Sequence, residues 1–325
     1  MTSEIITASS AGTWQLGDLR VNRLGFGAMR LAQTGEAFAE GAAARGHDRD
    51  RGRATAVLRR AVELGVNHID TAAFYFSPLR SANELINRAL APYPDDLVIT
   101  TKVGPGRYPS GEWLDHATPR RLRGQVEENL RQLGRDHLDV VNLRIVGTGS
   151  ISERFGALAD LREAGLIRHL GISNVRPVHL AEALAIAPVV CVQNQYGIGA
   201  TAEQDAFVDR CGEQGIAFVP FYSIAGSGRT AGAGGTDSAE VLAVARAHGA
   251  SPAQVRLAWT LARGPHVLAI PGTGDPDHLA ANVAAGALRL TPAGLDVAPS
   301  VPWGAGGWRV SRGSAPNPHL KRRRG

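Results

Sequence analysis

The chain has 325 residues with 35 Lys+Arg against 30 Asp+Glu, a formal net charge of +5, 44% hydrophobic and 20% charged residues. Six basic residues and no acidic one follow Pro299, which leaves 29 basic against 30 acidic groups in residues 1–298. The body is near neutral, so the net charge makes no case for a nucleic-acid or anionic-membrane partner. Composition is that of a folded soluble domain long enough for one large core or one barrel. Cys191 and Cys211 cannot make a disulfide framework; both sit in apolar stretches and are expected to be buried, inert thiols. No apolar run reaches the roughly 20 residues that span a bilayer. Met1–Ala11 is polar and lacks the pattern of a secretory signal, so a cytoplasmic location is expected.

In chain order, Thr13–Val21 reads as a short hairpin that would close a barrel floor. Short apolar runs predict strands at Leu24–Met29, Val66–Asp70, Leu97–Lys102, Asp139–Leu143, Ile167–Ser173, Val189–Gln193, Ile216–Phe221 and Val267–Pro271. Between them, amphipathic periodicity predicts helices at Arg53–Leu64, Asn83–Leu90, Pro119–Leu133, Glu153–Ala164, Val178–Ala185, Glu203–Glu213 and Pro252–Ala262. Thr118-Pro119 and Ser251-Pro252 pair a capping residue with proline at the first helical position. Gly65, Gly134, Gly165 and Gly215 stand where helices would end.

Near-continuous apolar strands alternating with helices predict an α/β chain with a parallel sheet covered by helices. At this length a closed (β/α)8 TIM barrel with an N-terminal β-hairpin and long loops at its C-terminal face fits best. An open doubly wound sheet is the alternative. It lacks its fingerprint: Gly25-Phe26-Gly27 is followed by Ala28-Met29-Arg30, with no third glycine. Residues 1–298 form a single domain on this reading. Three long segments, Leu31–Arg51, Val103–Ala117 and the Gly/Ala/Ser-rich Ser223–Thr236, are candidate functional loops.

The arginines number 33 and the lysines only two, Lys102 and the tail residue Lys321. A solitary lysine in the body calls for a compact cation whose pKa can be moved. Lys102 ends the third predicted strand; Asp70 ends the second, and Tyr75 lies five residues beyond it. Buried together, Lys102 and Asp70 would pair, and the positive charge would lower the pKa of Tyr75. Such a tyrosine can protonate a carbonyl oxygen as hydride reaches the carbon. Taken singly, Tyr75 reads as a pocket wall, Asp70 as a loop cap and Lys102 as a surface charge.

These residues, in order, resemble the aldo-keto reductase superfamily over nearly all of residues 14–295. The resemblance rests on Gly27-Ala28-Met29-Arg30, the Asp70–Tyr75 segment with Asn83-Glu84-Leu85-Ile86, Thr100-Thr101-Lys102, Gly171-Ile172-Ser173-Asn174, Val192-Gln193-Asn194-Gln195-Tyr196, Val219-Pro220-Phe221 and Ile270-Pro271-Gly272-Thr273 with Asn282. It implies a (β/α)8 barrel and a nicotinamide-dependent reductase of aldehydes or ketones. Tyr75 would be the general acid, tuned by Lys102 and Asp70. Ser173, Asn174 and Gln193 would orient the nicotinamide carboxamide, and Phe221 would stack on its ring. Gly27, Met29, Ser223, Gly226, Pro271, Gly272, Thr273, His278 and Asn282 complete the implied cofactor site.

Two departures bear on function. Where most members carry a histidine after strand four, Asn142-Leu143-Arg144 places Arg144. Arginine polarises a carbonyl but does not exchange protons near neutral pH. Arg144 is therefore expected to orient substrate or attract an anionic group, the alternative being an ion pair with a loop carboxylate. Asn-Leu-Arg at this place also resembles a branch containing pyridoxal reductases, which makes reduction of pyridoxal to pyridoxine the specific expectation. Trp113 is a candidate wall of the substrate pocket, or a capping residue. At the adenosine end, Thr273 and the next helix's N-terminus can hold a 2′-phosphate, while Asp275 would repel it if it points inward. NADPH is favoured over NADH. The other class of reading is a nicotinamide-binding, redox-sensing regulatory subunit with slow turnover, as in family barrels attached to potassium channels. His116, His169 and His248 lack metal-ligand spacing, so no metal is expected. Pro299–Gly325, rich in Gly, Pro and Arg, predicts a disordered extension. Oligomeric state is not legible.

Overall fold

The computed structural model describes residues 6–32, 51–77, 80–108, 113–114, 116–224 and 237–296. Most of Leu31–Arg51 and Ser223–Thr236, Gly226 and the tail Pro299–Gly325 lie outside the described residues. The strands are β1 (Thr13–Leu16), β2 (Leu19–Asn22), β3 (Phe26–Gly27), β4 (His68–Asp70), β5 (Phe76–Ser77), β6 (Arg80–Ser81), β7 (Val98–Val103), β8 (Gly106–Arg107), β9 (Trp113–Leu114), β10 (Leu138–Arg144), β11 (Ile167–Ser173), β12 (Val189–Gln193) and β13 (Ala217–Phe218). The helices are α1 (Met29–Ala32), α2 (Arg51–Glu63), α3 (Ala82–Leu90), α4 (Pro119–Leu133), α5 (Ser152–Glu163), α6 (Pro177–Leu184), α7 (Ala202–Glu213), α8 (Ala239–Ala247), α9 (Pro252–Ala262), α10 (Pro276–Ala284) and α11 (Pro292–Leu295).

Seven strands lie side by side in the order β13-β12-β11-β10-β7-β4-β3, every pair parallel. Residues 266–269 close the ring as the eighth stave. Phe218 N donates to His266 O at 2.9 Å and Leu268 N to Phe218 O at 2.9 Å on one side. On the other, Gly25 N donates to Ala269 O and Ala269 N to Arg23 O, each at 2.8 Å. The fold is therefore the expected (β/α)8 barrel.

The strands at the closure are shorter than their apolar runs. Only Phe26–Gly27 of Leu24–Met29 is regular strand, and Val267–Pro271 pairs through isolated bridges at Val267 and Ala269. The backbones approach too closely there for regular strand spacing to accommodate side chains. A Cβ at Gly27 would lie 2.6 Å from Ile270 O, and one at Gly272 would lie 2.5 Å from Gly27 O. Of the helices absent from the periodicity reading, α1, α8, α10 and α11, the two longer ones, α8 and α10, follow Ser238 and Asp275, whose side chains cap them. The segments after Tyr75 and Val103 fold back as the small hairpins β5–β6 and β8–β9.

Two apolar layers result. Between strands and helices runs the main core, from Leu24 and Val57 through Phe155 to Val283. Inside the barrel is a smaller cluster in which Leu16 and Val21 of the β1–β2 hairpin meet Val98, Val140, Cys191, Ala217 and Leu268. The hairpin thus seals the floor, as expected. Cys191 and Cys211 are buried, and burial pushes both thiols up to about 12, which keeps them neutral. Helix ends follow the capping residues. Thr118 Oγ1 accepts from Arg121 N, and Gly134 ends α4 at φ +63°, a left-handed conformation glycine adopts without strain.

The barrel interior is packed to the limit at Gly171, where a Cβ would lie 2.0 Å from Asn142 Oδ1 and 2.6 Å from Cys191 Sγ. Gly171→Ala should therefore cost about 1–3 kcal/mol by overpacking. Thermal unfolding checks this; a melting temperature equal to wild type would contradict it.

Candidate active site

Parallel register sets the functional residues at the ends of neighbouring strands, with Lys102 two residues beyond Thr100, the partner of Asp70. Gly27 pairs with Asp70, Asp70 with Thr100, Lys102 with Asn142, Arg144 with Ser173, and Ser173 with Gln193. The row lies at the carboxyl ends of the strands, the face where such barrels place their chemistry. Six sequence-predicted residues, Asp70, Lys102, Arg144, Ser173, Gln193 and Gly27, stand on it directly.

Lys102 is 2% exposed. Its Nζ donates to Asp70 Oδ1 at 2.5 Å and to Thr71 O at 3.0 Å, and lies 4.8 Å from the centre of the Tyr75 ring. Asp70 Oδ2 accepts from Gln193 Nε2 at 2.7 Å. Burial disfavours the ammonium, yet Asp70 and Tyr75 outweigh it and raise the Lys102 pKa, so the cation persists. Tyr75 departs from expectation in sign. Burial raises its pKa by more than Lys102 and Arg144 lower it, so the phenol is firmly protonated at neutral pH. Both lysine and aspartate are embedded with it, so their opposing effects largely offset each other.

A polar chain behind the site holds the strand ends in place. Thr71 Oγ1 donates to Asn83 Oδ1 at 2.7 Å, while Asn83 Nδ2 and Thr101 Oγ1 both donate to Asn129 Oδ1, at 2.9 and 2.6 Å. From the same face of α4, Gln125 accepts from Gly104 N at 2.7 Å and donates to Pro105 O at 3.2 Å. Helix α4 thereby fixes the turns that follow β4 and β7. Sequence reasoning passed over Asn129 and Gln125. Their signal was polar side chains on the buried side of a helix otherwise apolar there.

On the opposite wall, Asn174 adopts φ +60°, fixed by Asn174 N donating to Gln193 O at 2.9 Å and Nδ2 to Ile145 O at 3.0 Å. Ser173 Oγ is buried without a hydrogen-bond partner among the described residues. The Asn174 and Gln193 amide nitrogens each make one of their two possible bonds, their carbonyl oxygens can accept, and the Ser173 hydroxyl can donate. That donor–acceptor set matches a primary carboxamide. Phe221 N donates to Asn194 O at 2.9 Å, and its ring meets that of Tyr222 edge-on at 5.2 Å. Ser223 is buried beside them, and Met29 opens α1 just beyond Gly27.

The loop after residue 270 carries the remaining predicted residues. Pro271 O accepts from Gly27 N at 3.2 Å. With Gly272 pressed on Gly27, this loop and β3 are locked together, so Gly27, Pro271 and Gly272 serve barrel closure as well as any ligand. Thr273 and Asn282 are buried and His278 is exposed on α10. Two α10 N–H groups expected to face a phosphate are occupied: Asp275 Oδ1 accepts from Asp277 N at 2.9 Å and His278 N at 3.3 Å. Those bonds hold the Asp275 carboxyl below the usual range, and Asp275 also pairs with Arg53 of α2. Trp113 lies in β9 beside the mouth. The mouth also gathers Arg107 and Tyr222, which the sequence reading left out.

Among the described residues there is no group of three His, Cys, Asp or Glu that could hold a metal, and no helix long and apolar enough to cross a membrane. The sequence model of the aldo/keto reductase family matches residues 23–296. Pyridoxine 4-dehydrogenase of Escherichia coli K12 is 45% identical over 289 residues, 87% of this chain and 95% of that one. An uncharacterised oxidoreductase of Schizosaccharomyces pombe is 37% identical, covering 89% of each chain. Among solved structures, an aldo-keto reductase from Klebsiella pneumoniae in complex with NADPH superimposes with a TM-score of 0.68 at 25% identity, covering 84% of this chain and 88% of that one.

Proposed function

Since the chain belongs to the aldo/keto reductase family and is an NAD(P)H-dependent oxidoreductase, we propose that it reduces an aldehyde with NADPH, with pyridoxal, converted to pyridoxine, as the leading substrate. The observation that carries the chemistry is Tyr75 lying with its ring centre 4.8 Å from Nζ of a buried Lys102 that is paired to Asp70. The substrate reading is supported by Asn142-Leu143-Arg144 after strand four and by the likeness to pyridoxine 4-dehydrogenase.

Bound NADPH supplies the hydride that reaches the carbonyl carbon. Ser173, Asn174 and Gln193 would hold its carboxamide through the Ser173 hydroxyl and the two amide groups, and Phe221 would give the ring an apolar wall. Tyr75 donates its phenolic proton to the carbonyl oxygen as negative charge develops there. Lys102 stabilises the resulting phenolate, and Asp70 keeps that lysine charged and fixed. Arg144 polarises the carbonyl or holds a neighbouring group, without exchanging protons. Tyr75 is thus the sole proton donor.

Thr273, Asn282 and the start of α10 are the groups for the adenosine end, with Arg53, paired to Asp275 at the start of that helix, as a cation for the 2′-phosphate. Asp275 is the opposing term: it already occupies Arg53 and two N–H groups. NADPH binding on this reading must draw Arg53 away from Asp275.

Two measurements test these assignments. Tyr75→Phe should lower turnover of pyridoxal by roughly 100-fold or more and leave NADPH binding, read by fluorescence, near wild type. Activity close to wild type contradicts the role. Negligible turnover of all aldehydes by wild type, with tight NADPH binding, supports a regulatory subunit instead. Asp275→Ser keeps a capping oxygen and removes the charge, so preference for NADPH over NADH should rise about tenfold in dissociation constants. An unchanged ratio places the 2′-phosphate elsewhere.

A further inference from the structure

Asn194 stands one residue beyond the end of β12, 4% exposed, with both ends of its side-chain amide on a single neighbour. Its Oδ1 accepts from Val175 N at 2.9 Å and its Nδ2 donates to Val175 O at 2.8 Å. A backbone N–H can only donate and a backbone carbonyl can only accept, so chemistry fixes which way the amide points. The side chain imitates a peptide unit and continues the β11–β12 ladder past its last regular pair, Ser173–Gln193. On the main chain, Asn194 O accepts from Phe221 N at 2.9 Å, next to the bridge between Gln195 and Phe221. One buried residue thus ties the turn after β11 to the segment after β13.

Those two tethers adjoin the two non-glycine residues that have positive φ among the described residues. Asn174, at φ +60°, comes immediately before Val175, and Tyr222, at φ +62°, comes immediately after Phe221. Asparagine tolerates the left-handed region, whereas a bulky aromatic there is an outlier. Such conformations persist where the surroundings over-determine them, and they gather at ligand sites. Asn174 is held on its other side by Gln193 O and Ile145 O, and the Asn194 amide closes the turn behind it. We propose that Asn194 is a positioning residue of the nicotinamide site: its side-chain amide holds Asn174 in the left-handed turn and its carbonyl holds Phe221, so that cofactor affinity depends on Asn194 through these two neighbours. The inference rests on the NADPH reading above, in which Asn174 takes the carboxamide and Phe221 walls the ring. Leucine at position 194 has nearly the same size but leaves Val175 N–H and C=O buried without that partner, and the turn is then free to leave its strained conformation.

The test reads NADPH dissociation constants by fluorescence, at a temperature well below the melting point of each variant. Asn194→Leu should weaken NADPH binding by about tenfold or more. Asn194→Asp keeps the acceptor for Val175 N and loses the donor to Val175 O, so its Kd should fall between those of Asn194→Leu and wild type. Because Asn194 acts through Asn174, Asn194→Leu introduced into an Asn174→Ala background should cost only about threefold or less. A residue that merely supports the fold lowers the melting temperature and leaves the Kd of the folded protein alone. A Kd indistinguishable from wild type in folded Asn194→Leu, or the full loss repeated in the Asn174→Ala background, overturns the inference. Should neither variant fold, hydrogen exchange on wild type decides: the amides of Val175 and Phe221 should both gain protection when NADPH binds, and the absence of that gain at either one overturns it. Failure of wild type to bind NADPH overturns the cofactor reading and the inference with it, whereas unaltered binding by Asn194→Leu leaves that reading intact.

Discussion

Lys102 is an ammonium almost wholly withdrawn from water, and the architecture of the mouth follows from keeping it charged. A lone buried cation would neutralise, since desolvation is its largest cost. Here Asp70 and the Thr71 carbonyl take two of its three protons, and Tyr75 lies against it. Asp70 can serve only because Gln193 occupies its other oxygen. The pair therefore ties strand ends from β4, β7 and β12 across the barrel. Breaking it by removing one partner would leave an uncompensated buried charge, which is among the costliest changes a core can suffer.

That constraint propagates outward. The strand ends must meet within hydrogen-bond distance, so the backbone at the closure has to be close, and Gly27 and Gly272 provide the space. The turns after β4 and β7 have to be rigid, and α4 secures them through Asn129 and Gln125. A phenol set in this environment keeps its proton at neutral pH, which suits a donor. Under the proposed donor role, the same burial would disfavour the phenolate left after donation, and Lys102 would be the group that offsets this.

The absence of histidine after strand four shifts work onto charge. Arg144 stands in that position with its guanidinium carbon 5.6 Å from the centre of the Phe221 ring, and a guanidinium does not exchange protons near neutral pH.

The sequence by itself determined the alternation of strands and helices, the helix caps at Thr118 and Ser251, the floor hairpin and the placing of Asp70, Lys102, Arg144, Ser173 and Gln193 at strand ends. These are legible because periodicity and capping are local, and because a single body lysine among arginines stands out as composition. What only the tertiary structure decided was non-local. The sign of the Tyr75 shift depends on how deeply the barrel buries it, which no spacing reveals. Asp275 turned out to cap its own helix and bind Arg53, a partner more than 200 positions away. Each of these depends on which charges share a low-dielectric space, and that is fixed by chain closure rather than by any residue's neighbours in sequence.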